Sequence, residues 1–386
     1  MSNDKNKETY KQTGAASSKA STTSSSAGSA SAATAVAPAK MPGKDQGVLY
    51  LGIDLGTSRT SVSASNGVRE TVASLVGYPK DAVSQKLLKA SVLFGDDALK
   101  NRLALDFYRP LEHGVLKCSE SSIDAYQANL RAAQDLIAEI IRRARPRKDE
   151  LIYGVIGVPA QVSINNKQAI IDAARATVDS VMLCSEPFSV AYGLDMLDDV
   201  LVIDIGAGTT DLCRMHGTMP EDADQITLTH AGDWIDKRFG ELLGEAYPEA
   251  QFTVQMLKRI KERYACVSED QPKVVVEFPV NGKPTPFDVT NQLRTACQGI
   301  VPPIVEGLSK LVATFDPEFQ DRLKGRVLLG GGGSQIKGLD DAIEREMKER
   351  LGDGKVERCE EPMYGGSNGA LKIAHDMPAE FWEKLK

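Results

Sequence analysis

The sequence predicts an α/β fold of two similar halves that face each other across a groove, and three observations predict it. An acidic hairpin occurs twice in register, as "LGIDLGTSRTS" and "LVIDIGAGTTD", with Asp54 and Asp204 150 residues apart; such self-similarity marks a duplicated unit. Apolar runs of strand length alternate with stretches of helical periodicity. "RVLLGGGGSQIKGLDDAIER" reads as a strand, a glycine loop and a helix with an acidic first turn.

Order is expected to begin at residue 47. Residues 1–46 are dominated by Ser, Thr, Ala and Gly; they cannot offset their ordering entropy and read as a disordered tail. Val48, Leu49, Tyr50, Leu51 and Ile53 form a buried strand that ends in the Asp54–Gly56 turn, with "SVSAS" as its hairpin partner. "SIDAYQANLRAAQDLIAEIIRRARP" has a helical period and stops before Pro146. The strand "ELIYGVIGVPA", the helix "NNKQAIIDAARAT" and the second acidic hairpin follow. Helices are expected around 233–245 and 253–265, strands at "KVVVEF" and "FDVT", and one long helix over 291–313.

Composition narrows the function. The chain has 386 residues, enough for two cores, and its net charge of -7 argues against nucleic acid as a partner. Cys118, Cys184, Cys213, Cys266, Cys297 and Cys359 form no CxxC pair and read as reduced, mostly buried thiols. The four histidines do not cluster with them, so no zinc site is expected. No window reaches the roughly 18 apolar residues of a membrane span, and no apolar stretch follows Lys5 and Lys7. A cytoplasmic location without membrane insertion is therefore expected. "AEFWEKLK" is too short for an anchor and is expected to pack against the last helix. Arg142, Arg143, Arg145, Arg147 and Lys148 read as a solvated helix end, and Trp234, Tyr264 and Cys213 as core.

Each hairpin places an acid at a strand end beside a glycine turn. Glycine lets backbone N–H groups approach an anion closely. A carboxylate repels phosphate, so Asp54 and Asp204 are expected to hold Mg²⁺, largely through water, while the turns grip a triphosphate. The motif is not a P-loop, because no GxxxxGK[ST] occurs and the turns lead into strands. "GAGTTD" also lacks the GxGxxG spacing of a dinucleotide fold. One such turn is explained by the ordinary preference of β-turns for Asp and Gly. Two in register, with the glycine loop at 330–334, are not.

Together these segments resemble the superfamily of actin, heat-shock chaperone and sugar-kinase ATPases over essentially all of 47–386. "GIDLGTSRT" and "VIDIGAGTTDL" look like its two phosphate loops, "VIGVPA" and "YGGSNGALKIA" like its connecting segments, and "LLGGGGSQIKGL" like its adenosine loop. The resemblance implies an actin-like fold of two pseudo-symmetric RNase H-like domains. They would span 47–200, with 367–386 packing back on it, and 201–366. It implies ATP and Mg²⁺ as cofactors, contacted by Gly56, Thr57, Ser58 and Arg59, by Gly206, Gly208, Thr209 and Thr210, and by Gly331, Gly332, Gly333 and Ser334. "HAGDWIDKRF" adds Gly232, Asp233 and Asp236, and "RIKERYACV" adds Lys261 and Glu262. Hydrolysis would fall to Glu186, Asp204 and Asp211. The family's water-positioning Gln or Glu, seven residues after the proline of "GVP", is Asn166 here.

"SLVGYPKDAVSQKLL", "RPLEHGVL" and "CSEPFSVAYGLD" further resemble the magnetosome-filament branch of bacterial actins. That implies an ATPase that polymerises head to tail with copies of itself and organises magnetosomes through an adaptor protein. The rivals are a cell-shape or plasmid-segregation actin, a chaperone ATPase and a small-molecule kinase. A chaperone would carry a β-rich substrate domain after "YGGSNGALKIA", and nothing identifiable supplies a sugar site.

Overall fold

The computed structural model describes residues 47–117 and 123–385; the tail expected at 1–46 and Cys118 lie outside the described residues. Each half is organised on a five-stranded sheet, and the two sheets share one plan. In the first, the order is Ser180–Ser185, Leu151–Val158, Val48–Leu55, Arg59–Ala64, Arg69–Ala73, with three parallel strands followed by two antiparallel ones. In the second, Val356–Arg358, Val327–Gly330, Val200–Ile205, Thr210–Met215 and Gln225–Leu228 repeat that order and those directions. The repeat legible in the sequence is thus a repeat of sheet topology.

The central strands are buried along their length: Val200–Ile205 is buried at all six positions, and Leu49, Leu51, Ile53 and Leu55 are closed to solvent. Helices cover both faces of such a sheet. Both first strands also end in the same register. Asp54 lies between Gly157 and Ser61, and Asp204 between Gly330 and Asp211. The two acids therefore stand at the carboxyl ends of parallel strands, where α/β sheets bind ligands.

Each half has its own apolar core, and a third core joins them. The joining layer holds the helices Glu186–Gly193 and Gly365–Asp376, packed backbone against backbone. A Cβ at Gly369 would lie 1.7 Å from the Ser189 carbonyl oxygen, and one at Gly52 would lie 2.1 Å from the Ser367 carbonyl. Trp382, fully buried, stacks on Tyr153 at 5.1 Å within this layer, and its carbonyl accepts a bond from Ser180 Oγ at 3.2 Å. The segment read as a poor anchor is thus held by Trp382, while its Phe381 is 39% exposed.

Several expectations are corrected. The helix expected over 291–313 is two, Thr290–Gln298 and Val301–Ala313. Pro302 and Pro303 cannot donate helical N–H bonds and are tolerated only in a first turn, so they force a new start. The strand expected at "FDVT" is Lys283–Asp288, because the Asp288 carboxylate takes the Thr290 N–H and hydroxyl and opens the next helix. Between the glycine loop and its helix lies an unforeseen 3₁₀ turn, Gly332–Gln335, while the helix itself starts at Leu339, where "LDDAIER" placed it. The stretch 74–117, left without elements in the sequence reading, holds short helices and strands of two to four residues, too short to show a period.

Other expectations hold. Cys184, Cys213, Cys266, Cys297 and Cys359 are free and buried. Arg142 and Arg143 share Glu139 and Arg147 pairs with Glu150, while the Arg142 and Arg147 side chains stay largely in solvent, as a solvated helix end requires. Among the described residues, no helix is long and apolar enough to cross a membrane.

Candidate functional site

A cavity of about 540 Å³ opens between the two sheets, lined by both acidic turns and by the glycine loop. The second turn closes on itself through the Gly206 N–H to the Thr209 carbonyl at 2.9 Å. Its outer carbonyls, Gly206 and Ala207, accept from the N–H groups of Gly232 and Asp233 at the start of the helix Gly232–Ala246. The two turns meet directly: a Cβ at Gly208 would lie 2.5 Å from Thr57 Oγ1. A loop at His113–Gly114 straps them together. The Gly114 N–H donates to Thr57 Oγ1 at 2.7 Å, and His113 Nδ1 lies 3.0 Å from the Gly208 carbonyl. Gly331 adopts φ +74°, and a Cβ there would lie 2.2 Å from Asp204 Oδ1, so only glycine lets the loop drape over that acid.

Of the residues singled out in the sequence, the cavity brings together Gly56, Thr57, Ser58, Arg59, Gly206, Gly208, Thr209, Gly232, Asp233, Lys261, Glu262, Gly331, Gly332 and Gly333, with Asp54, Glu186 and Asp204. Five others do not line it. Thr210 donates its hydroxyl to the His230 carbonyl at 2.8 Å. Ser334, buried, closes its own loop onto the Gly331 carbonyl at 2.7 Å. Asp236 pairs from below with the Lys261 ammonium at 2.8 Å, and so bears on the cavity only through that lysine. Asp211 accepts from the Ala160 N–H at 2.8 Å and the Thr227 hydroxyl at 2.5 Å, tying the loop after one sheet to the edge of the other. Asn166 sits in the first turn of the helix Ile164–Ala174, its N–H bound by Ser163 Oγ at 3.3 Å.

The sequence reading missed Lys258 and Gly366. Lys258 lies one helical turn before Lys261 and Glu262, and that spacing was the available signal. Its ammonium donates to Ser58 Oγ across the groove, and burial lowers its pKa. Gly366 lets the helix Gly365–Asp376 approach Asp54, with a Cβ there 3.3 Å from Oδ2.

Asp54, Glu186 and Asp204 form an acid floor to the cavity, and Asp211 stands behind them outside the lining. Burial pushes Asp54 up to about 6. Burial first and the neighbouring Asp54 and Asp211 second push Asp204 up to about 8. Glu186 is raised well above the ordinary carboxylate range by burial and by Asp54, Asp211 and Asp204. Asp211 is raised by burial, and its Oδ2 has no hydrogen-bond partner. Recessed, oxygen-only and short of positive charge, this set suits a hard cation. Among the described residues no three acids, histidines or cysteines form a preassembled metal cage. Mg²⁺ is one such hard cation; it keeps its waters and takes one or two carboxylates together with substrate phosphates.

A pH dependence follows. Asp54 and Asp204 are raised above 3.8, so the folded chain keeps protons that the unfolded chain releases. Their contribution to stability is full below about pH 4 and is lost as pH rises through about 6 and about 8. Thermal unfolding of the protein without added cation or nucleotide is expected at lower temperature at alkaline than at mildly acidic pH. Asp204→Asn should remove the part of that fall near pH 8; an unchanged profile would contradict the acid cluster.

The MreB/Mbl protein family matches residues 49–379. The actin-like protein MamK of Paramagnetospirillum magneticum is 38% identical over 89% of this chain and 97% of its own length. MamK of Magnetospirillum gryphiswaldense is 37% identical over 89% and 93%. Among solved structures, the MamK double helical filament superposes with a TM-score of 0.81 at 38% identity, covering 86% of this chain and 99% of that one. A non-polymerising MamK variant bound to AMPPNP superposes at 0.65, again at 38% identity, over 86% and 100%. MreB 5 of Spiroplasma citri, at 17% identity and a TM-score of 0.67 over 83% and 94%, shows likeness of fold alone. The duplicated sheets, the facing acidic turns and these matches agree: the fold is actin-like, and the chain belongs to the MreB/Mbl family of actin-like proteins.

Proposed function

We propose that this protein is a filament-forming ATPase that binds ATP in the groove, polymerises with copies of itself and organises magnetosomes in the cell through an adaptor protein. The observation that carries the reading is the convergence of Asp54, Glu186 and Asp204 beneath two glycine turns from topologically equivalent sheets. The names of the MamK relatives and filament structures support the polymer and its cargo. The higher TM-score to the filament than to the non-polymerising variant supports a conformation near that of an assembled subunit.

Gly56–Ser58 on one half and Gly206–Thr209 on the other would hold the phosphates, so a bound triphosphate ties the halves together. Gly331, Gly332 and Gly333, with Lys261 and Glu262, would hold the nucleoside. Mg²⁺, held by Asp54 and Asp204 through water, would supply the charge that neutralises the phosphates and returns the crowded carboxyls to their ionised form. Glu186 then accepts the proton of the attacking water, and Asp211 fixes the Ala160 loop and the Thr227 edge strand around it. Hydrolysis removes the link between the turns and biases the groove toward opening, which weakens a head-to-tail contact. The moving units are 47–200 with the segment from 367, and 201–366.

Asp204→Ala tests the reading. Phosphate release should fall and filaments grown with ATP should persist in sedimentation assays. Normal release and disassembly by that variant would sink it.

A further inference from the structure

Three charged contacts cross the groove beside the first turn. Two involve side chains that line the cavity, Lys258 with Ser58 and Arg59 with Glu262 at 3.5 Å. A ligand competes for those. The third is made by a side chain outside the lining: Arg109, in the "RPLEHGVL" segment. Its Nε donates to the Thr57 carbonyl at 3.1 Å, and its Nη2 donates to Asp233 Oδ2 at 2.5 Å. Thr57 belongs to one half, and Asp233 opens the helix Gly232–Ala246 of the other.

We propose that Arg109 is a positioning residue that couples the pose of the Thr57 turn to closure of the groove, and so sets how long a nucleotide stays bound. The inference rests on the nucleotide reading above. A guanidinium is a rigid planar fork, so its N–H groups cannot move independently. When the halves part, Asp233 is withdrawn from Nη2, and Nε turns the Thr57 carbonyl as the fork follows. Arg109 also neutralises Asp233, which lines the cavity and, unpaired, would oppose a phosphate. The two side chains are 37% and 33% exposed, so the pair is open to screening by salt.

The test is stopped-flow release of a fluorescent ATP analogue from the full chain with Mg²⁺. R109A and D233N should each speed release about tenfold, and the double variant should be no faster than either, as a shared interaction requires. R109K, which keeps the charge but loses the fork, should lie between wild type and R109A. Salt should speed release from wild type and not from R109A. Additive effects, an R109A rate equal to wild type, or an R109K rate equal to wild type would overturn the proposal while leaving the nucleotide reading intact. A wild-type chain that retains no analogue would overturn both.

Discussion

Replacing Glu186 by Gln is expected to lower kcat for ATP hydrolysis by about 10²–10⁴-fold, the range for loss of a positioned general base. Gln preserves the volume and hydrogen bonding of the side chain but cannot take a proton. Glu186 is 8% exposed, at the first position of the helix Glu186–Gly193, and lines the cavity with Asp54 and Asp204. Nucleotide binding should be retained, and filaments formed with ATP should fail to turn over. Phosphate release and pelleting, measured on the same preparation, check both halves of the prediction. Asn166→Ala is the informative contrast. Its position outside the cavity lining predicts a small effect, and a loss as large as that of Glu186→Gln would return the water-positioning role to Asn166.

Gly369→Ala is expected to be the most damaging small substitution in the chain. The added carbon would sit 1.7 Å from the Ser189 carbonyl oxygen, which is backbone and cannot rotate away. The helices Glu186–Gly193 and Gly365–Asp376 would have to separate, and the layer between the two sheets would open with them. A cost on the order of 4–5 kcal/mol or more is expected, read as loss of soluble protein or as a large fall in the urea midpoint. Gly244→Ala is the control. It lies in the helix Gly232–Ala246 with nothing within 4 Å of an added carbon, so the same substitution should stabilise by about 0.5–1 kcal/mol.

The contrast between these residues explains how far the sequence was legible. Asp54, Asp204 and their glycine turns are local patterns, and a repeat in register carries its own proof. The glycine loop was readable for the same reason, although its 3₁₀ turn was not, because Gly332 and Gly333 leave no side-chain period to follow. Thr210, Asp211, Asp236 and Ser334 stand inside true motifs yet point elsewhere; a motif fixes the backbone, while the facing of each side chain depends on strand alternation and helix phase. Asn166 was found by counting from Pro159, and counting cannot say which way a helix turns its first residues. Arg109, Lys258 and Gly366 reach the site from distant segments, and only the packed chain shows that they meet.

One feature away from the groove bears on the polymer proposed above. The ribbon of Val275–Val280 and Lys283–Asp288 stands as an isolated two-stranded sheet, and it carries Pro279, Pro284 and Pro286. Those imino acids have no N–H to offer a neighbouring chain, so the ribbon resists being lengthened into a cross-β stack. Subunits that meet at this edge must recognise one another through side-chain surfaces, and contacts of that kind come apart without unzipping a backbone ladder. In the filament proposed above, reversible assembly would thereby be protected from sliding into aggregation.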